Sequence, residues 1–173
     1  MALAGSLAVL VLVASGVANQ TVAAETIDRV LAVVAGQVIL LTDVSAAREL
    51  GLQPVQGSDP VRAVLSKLID RQLMLVEVDR YSPPEPTAAS IDQAAAEVRA
   101  RFATGEAYEA ELARCGIDEQ HLRETLRQDL RIRAYLEQRF PAADPRRESL
   151  IEEWVASLRR RGDVVDLYVS SPL

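Results

Sequence analysis

A glycine turn between two β-branched runs, followed by one long amphipathic helix, constrains this chain more than any other feature. Ile27 to Val34 and Val38 to Leu41 are β-branched and aliphatic, and Ala35-Gly36 supplies the residue that tolerates positive φ in a tight hairpin. Both runs are nearly continuous in apolar residues, which predicts strands covered by helices on both faces. Thr42 is placed to cap a short helix through Glu49, and Gly51 to end it. Asp59-Pro60 starts the long helix, the acid as cap and the proline where its missing N–H costs nothing. Val61, Leu65, Leu68, Gln72, Leu75 and Val76 recur near the helical repeat, predicting about twenty helical residues with one buried stripe. Ile69, Leu73 and Val78 widen that stripe, so the helix is expected to pack on more than one side.

Ser82-Pro-Pro-Glu-Pro86 stops this helix and forms a stiff connector. Thr87 can cap the next, with Ile91, Ala95, Val98 and Phe102 on one face. Thr104 opens another, Ala107 to Arg114, which Gly116 closes after Cys115. Asp118 caps a long helix whose row Leu122, Leu126, Leu130 is flanked by Arg123, Arg127 and Arg131, about 100° away. That arginine row reads as a solvated shoulder paired with Glu119 and Glu124, with an acidic partner surface as the alternative. Pro141 ends the helix, and Asp144-Pro145 repeats the cap-then-proline start. Leu150, Ile151, Trp154, Val155 and Leu158 give the last helix its stripe, and Gly162 closes it. Val164 to Val169 then reads as a strand that must find a sheet, and the N-terminal hairpin is the candidate, so the two ends should meet. The fold class expected is mainly α, a helical bundle with a small sheet made from the hairpin and the C-terminal strand.

Residues 1–24 contain no Asp, Glu, Lys or Arg, and Leu7 to Val13 has the length of a secretory-signal core. Val22-Ala23-Ala24 offers small residues for cleavage before Glu25, although the segment before the apolar run lacks Lys and Arg. The expectation is a signal peptide over 1–24, a single domain over 25–173 and an exported protein with no stable membrane insertion after cleavage. With 25 acidic and 19 basic side chains, net charge −6 and pI near 4.9, nucleic acid and anionic membrane surfaces are poor partners. Lys67 is the one lysine, all other basic residues being arginine. The single Cys115 cannot form a disulfide within the chain, so stability must come from packing; it reads as a small buried residue at a helix end.

The sequence holds no phosphate-binding glycine loop, no cysteine pair for zinc and no serine in a nucleophile elbow. His121 is the one histidine, and neighbouring carboxylates such as Glu152 and Glu153 point in different directions on a helix. No catalytic residue, metal site or cofactor is expected. What remains is surface: Met74, Phe102, Tyr108, Leu126 and Tyr135, with Phe140, form a set able to line a groove for an extended or helical apolar segment. Residues at such helical spacing more often serve simply as core, packing helices together.

Asp28-Arg-Val-Leu-Ala-Val-Val-Ala-Gly-Gln-Val-Ile-Leu-Leu-Thr-Asp43, followed by Leu68-Ile-Asp-Arg-Gln-Leu-Met-Leu-Val-Glu77 and Ile91-Asp-Gln-Ala-Ala-Ala-Glu97, resembles the N-terminal domain of the SurA family of periplasmic chaperones. The resemblance continues through Gly116-Ile-Asp-Glu-Gln-His121 and the arginine-rich helix after it. Family members insert parvulin-type prolyl isomerase domains before a last helix and strand complete the N-terminal core; here Phe140-Pro-Ala-Ala-Asp144 passes directly to that helix. The resemblance implies a periplasmic, ATP-independent chaperone module without the isomerase, its partners being unfolded or partly folded envelope proteins, outer-membrane ones above all. Client preference stays open, because part of the family's client crevice is formed against the missing domains. Two alternatives stand beside it: a prolyl isomerase-associated protein, and an envelope assembly subunit with one fixed partner.

Overall fold

The computed structural model describes residues 28–55 and 57–169; the expected signal peptide lies outside them. The chain order is β1 (Val30–Val34), β2 (Gln37–Leu40), α1 (Leu41–Glu49), α2 (Pro60–Tyr81), α3 (Ala88–Arg99), α4 (Gly105–Arg114), α5 (Glu119–Arg139), α6 (Arg147–Arg161) and β3 (Val164–Asp166). The protein is thus mainly helical with one small antiparallel sheet, strand order β2-β1-β3. Among the described residues no helix is long and apolar enough to cross a membrane.

The hairpin turn places both Ala35 (φ 50°) and Gly36 (φ 81°) in the left-handed region, the pattern whose twist matches paired strands. Ala35 accepts that conformation while its N–H donates to the Asp163 carbonyl at 2.8 Å, fixing the turn to the entry of β3. β1 is the centre strand: Val33 lies opposite Val38 on one side and Val165 on the other. Leu167 N–H donates to the Leu31 carbonyl at 2.9 Å, so pairing runs past the short β3. The chain ends therefore meet as expected, though over fewer residues than Val164 to Val169.

Among the described residues only one face of the sheet is covered. Ala32, Val34 and Ile39 are buried against the helices, whereas Val38 and Val165 remain 50% and 48% exposed. The reason is connectivity: α1 leaves β2 directly, the long α2 crosses the buried face, and no described element crosses back. The outer edge of β3 is blunted instead. Arg62 pairs with Asp166, donates to the Tyr168 carbonyl at 2.9 Å and stacks 4.8 Å from the Tyr168 ring centre.

Helix starts follow local chemistry. Asp59, Thr87, Thr104 and Asp118 each accept an N–H three residues on, at Arg62, Ser90, Ala107 and His121. Thr42 does not cap α1. The cap position is Leu40, two residues earlier, and Asp43 reaches back to accept the Leu40 N–H at 2.8 Å. Asp144 likewise caps a turn ahead of α6, accepting Arg146 N–H at 2.8 Å. In α2 the buried apolar side chains are Val64, Leu65, Ile69, Leu73, Leu75 and Val78, so the stripe is centred on the residues that widened it. Sheet, α1, α5 and α6 surround this helix.

Two apolar clusters result. The larger joins the sheet, α1, α2, the C-terminal half of α5 and α6; the smaller joins the end of α1 with α3, α4 and the start of α5. α5 serves both, with Leu122 and Leu126 in the smaller and Ile132 and Tyr135 in the larger.

The arginine row on α5 is a solvated shoulder only in part: Arg127 pairs with Glu124 as expected, but the row also reaches other elements. Arg123 pairs with Asp92, Arg127 with Glu85 and Glu124, and Arg131 with Asp79 and Glu85. Arg131 is only 11% exposed. The row clamps the end of α2, the proline connector and α3 onto α5, and Glu119 turns instead to the Tyr108 hydroxyl.

Candidate functional site: an apolar groove between three helices

Three helices present matched faces to a groove of about 650 Å³. α2 contributes Lys67, Asp70, Arg71 and Met74, and α5 contributes Asp129, Ile132, Arg133 and Leu136. Both sets have the i, i+3, i+4, i+7 spacing that places residues on one helical face. α6 closes the third side with Ile151, Val155 and Ala156, and Arg147, Glu152 and Arg159 stand at its rim. Ile132 is buried, while Met74, Leu136, Ile151 and Val155 are half-buried against the main core. An apolar floor with a charged rim is suited to taking apolar side chains from an extended or helical segment.

A second concavity of about 660 Å³ adjoins it, lined by β2, α1, α2 and the first half of α5. Its lining is more polar than that of the groove, with Gln37, Gln72, Gln120, Thr125 and Gln128 beside Val38, Leu52, Leu68 and Ile117. Arg71 and Asp129 belong to both hollows and form the wall between them, Nε to Oδ1 at 2.6 Å. Arg71 also donates to the Thr125 carbonyl and to Gln128 Oε1, each at 3.0 Å. The charged groups of the polar cleft are otherwise committed: Asp43 to Leu40 N–H, Asp118 to His121 N–H, and Glu124 to Arg127 and Gln128. Hydrogen bonds from Arg127 hold the Glu124 carboxyl down at about 2.

The five residues expected to line a binding groove are scattered. Met74 alone lies in the apolar groove. Tyr108 is 1% exposed in the smaller cluster, its ring 5.6 Å from that of Phe102 and its hydroxyl on Glu119. Burial, then the hydrogen bond and charge of Glu119, raise its pKa well above the ordinary tyrosine range. Leu126 packs in the same cluster. Tyr135 sits in the main core between Tyr81 and Trp154, at 5.5 and 5.7 Å ring to ring, and Phe140 stacks on the other side of Trp154 at 5.8 Å. The aromatics are thus core ties between helices. The groove is built instead from aliphatic residues: Ile151 and Val155, expected in the stripe of α6, and Ile132 and Leu136 on α5, which lie outside the expected Leu122, Leu126, Leu130 row. The signal that finds them is the repeated spacing on α2 and α5.

Cys115 is buried in the smaller cluster, and its thiol pKa is pushed up to about 11 by that burial and by Glu111 beside it. Among the described residues no group of three or more His, Cys, Asp or Glu side chains is placed to hold a metal ion. No protein-family model matches this chain, and no curated protein matches it.

Proposed function

We propose that this protein is a SurA-like, ATP-independent periplasmic chaperone module that holds unfolded or partly folded envelope proteins, with the groove between α2, α5 and α6 as its client site. The observation that carries this reading is an open apolar floor of half-buried aliphatic side chains and one methionine, walled by three helices. Met74 and its neighbours lose water when an apolar segment lies on them, and the methionine side chain adapts to clients of different shape. Binding of this kind is reversible, because the ordering of an unfolded client offsets much of the gain from burial. The resemblance to the SurA N-terminal domain supports the same reading, as does an element order in which the last strand returns to the first hairpin.

Aggregation of a denatured outer-membrane protein, followed by light scattering with and without the purified protein, tests the proposal. Suppression at near-stoichiometric ratios is expected, with proline isomerisation of a test peptide left at its uncatalysed rate of tens to hundreds of seconds. Unchanged aggregation at several-fold excess would reject the chaperone, and catalysed isomerisation would favour the enzyme-associated alternative. A second reading, an assembly subunit with one fixed partner, draws on Val38 and Val165, exposed on either side of the partly buried Val33 in the sheet. It would be favoured by a stoichiometric complex with one purified envelope protein that Val165→Asp abolishes.

A further inference from the structure

The charged groups around the apolar groove are unevenly matched. Asp70 pairs with Arg159 and Asp129 with Arg71, so these four rim charges are satisfied within the chain. Lys67, Arg133 and Arg147 have no carboxylate partner among the described residues, the Arg147 side chain donating only to the Phe140 carbonyl at 2.9 Å. Glu152 is the one unmatched anion on the same rim. The groove therefore carries an excess of free positive charge, although the whole protein has net charge −6. Free cations beside an apolar floor attract a segment whose own ends are negative, and repel one whose ends are positive.

We propose that the groove selects apolar polypeptide segments flanked by acidic residues. The apolar side chains lie on Met74, Leu136, Ile151 and Val155, and the flanking carboxylates meet Lys67, Arg133 and Arg147. This rests on the reading of the groove as a polypeptide site and adds to it a charge rule. The floor supplies most of the affinity and the rim supplies the choice, since solvent-exposed charge pairs are individually weak. A protein with excess negative charge elsewhere would otherwise disfavour acidic segments, so the preference has a sign opposite to that expected from net charge alone.

Three fluorescent peptides test this, sharing one apolar core and flanked on both sides by aspartate, serine or lysine, with binding read by anisotropy. At low salt the aspartate-flanked peptide should bind roughly three- to tenfold more tightly than the serine-flanked one, with the lysine-flanked one weakest. High salt should bring all three together, since the screening length falls from about 10 Å at 0.1 M to about 3 Å at 1 M. Lys67→Glu combined with Arg133→Glu, both at exposed positions, should reverse the order. Lys67→Gln alone should narrow it, providing a milder variant should the double one not fold. Equal binding of the three peptides at low salt, or an order unchanged by these variants, would overturn the charge rule while leaving the groove as a peptide site. Failure of every peptide to bind would overturn both.

Discussion

Arg71 Nε meets Asp129 Oδ1 at 2.6 Å where the apolar groove adjoins the polar cleft, so one ion pair both fastens α2 to α5 and separates two hollows. Arg71 is 14% exposed and forks over three acceptors on α5. Arg71→Ala strands a partly buried carboxylate and is expected to cost about 2–3 kcal/mol in urea denaturation. Arg71→Lys should recover only part of this, because an ammonium cannot span the same acceptors. A loss below about 0.5 kcal/mol for the alanine variant would mean that the pair is a surface contact of little weight.

The closing strand is the second point of test. Truncation after Gly162 removes the Val165 and Val164 pairing with β1, the Arg62–Asp166 ion pair and the Tyr168 hydroxyl bonds to Asp59 at 3.1 Å. It also opens the edge of the central strand. The truncated protein should melt at least about 10 °C lower and aggregate on heating. Melting within a few degrees of the intact protein would show that the strand is not part of the cooperative core.

Gly162 is required for space, not for backbone conformation. A Cβ there would sit 2.5 Å from Leu73 Cδ2 and 2.8 Å from the Leu158 carbonyl oxygen, and the second is fixed in α6. Gly162→Ala should therefore cost about 1–3 kcal/mol. Gly36→Ala provides the contrast: nothing lies near, but φ is +81°, so the expected loss of about 1–2 kcal/mol is backbone strain alone. Thermal unfolding of the two variants measures both.

Two titrations have opposite signs. The Cys115 thiol is raised to about 11 from 9.0, so its contribution to stability is complete below pH 9 and is lost as pH rises through 11. In the folded protein it should resist a disulfide reagent at pH 8 and react promptly after denaturation. Glu124 is lowered to about 2 from 4.5, so its contribution is present above pH 4.5 and is lost as pH falls through 2. With half its side chain exposed this contribution is small, and Glu124→Gln should flatten the acid limb of the stability curve only slightly.

Much of the fold was legible because local chemistry decided it. The hairpin at Ala35-Gly36, the caps Asp59, Thr87, Thr104 and Asp118, and the meeting of the chain ends all follow from residues close in sequence or from an edge that needs a partner. The start of α1 was misread because Asp43 reaching backward competes with Thr42 as cap, and both patterns fit the same four residues. Covering of both sheet faces was misread because continuous apolar composition does not say how many helices are free to cross the sheet. The site was the least legible part. Tyr108 and Tyr135 look like groove residues by type, but interhelical stacking claims them. Ile132, Leu136, Ile151 and Val155 look like core; Ile132 is buried, but Leu136, Ile151 and Val155 are left half open beside Met74 where α2, α5 and α6 line the groove. Which stripe stays unfilled depends on helix crossing, and that is set by partners distant in sequence such as Arg71 and Asp129.

A photoreactive side chain placed at Val155, compared with one at the exposed Glu109 on α4, locates the bound client on the protein. On illumination with a denatured outer-membrane protein, crosslinks should form at Val155, be competed away by an unlabelled apolar peptide, and be sparse at Glu109. Crosslinking that is equal at the two positions, or absent at Val155 while the protein still suppresses aggregation, would place the client elsewhere and contradict the assignment of the groove.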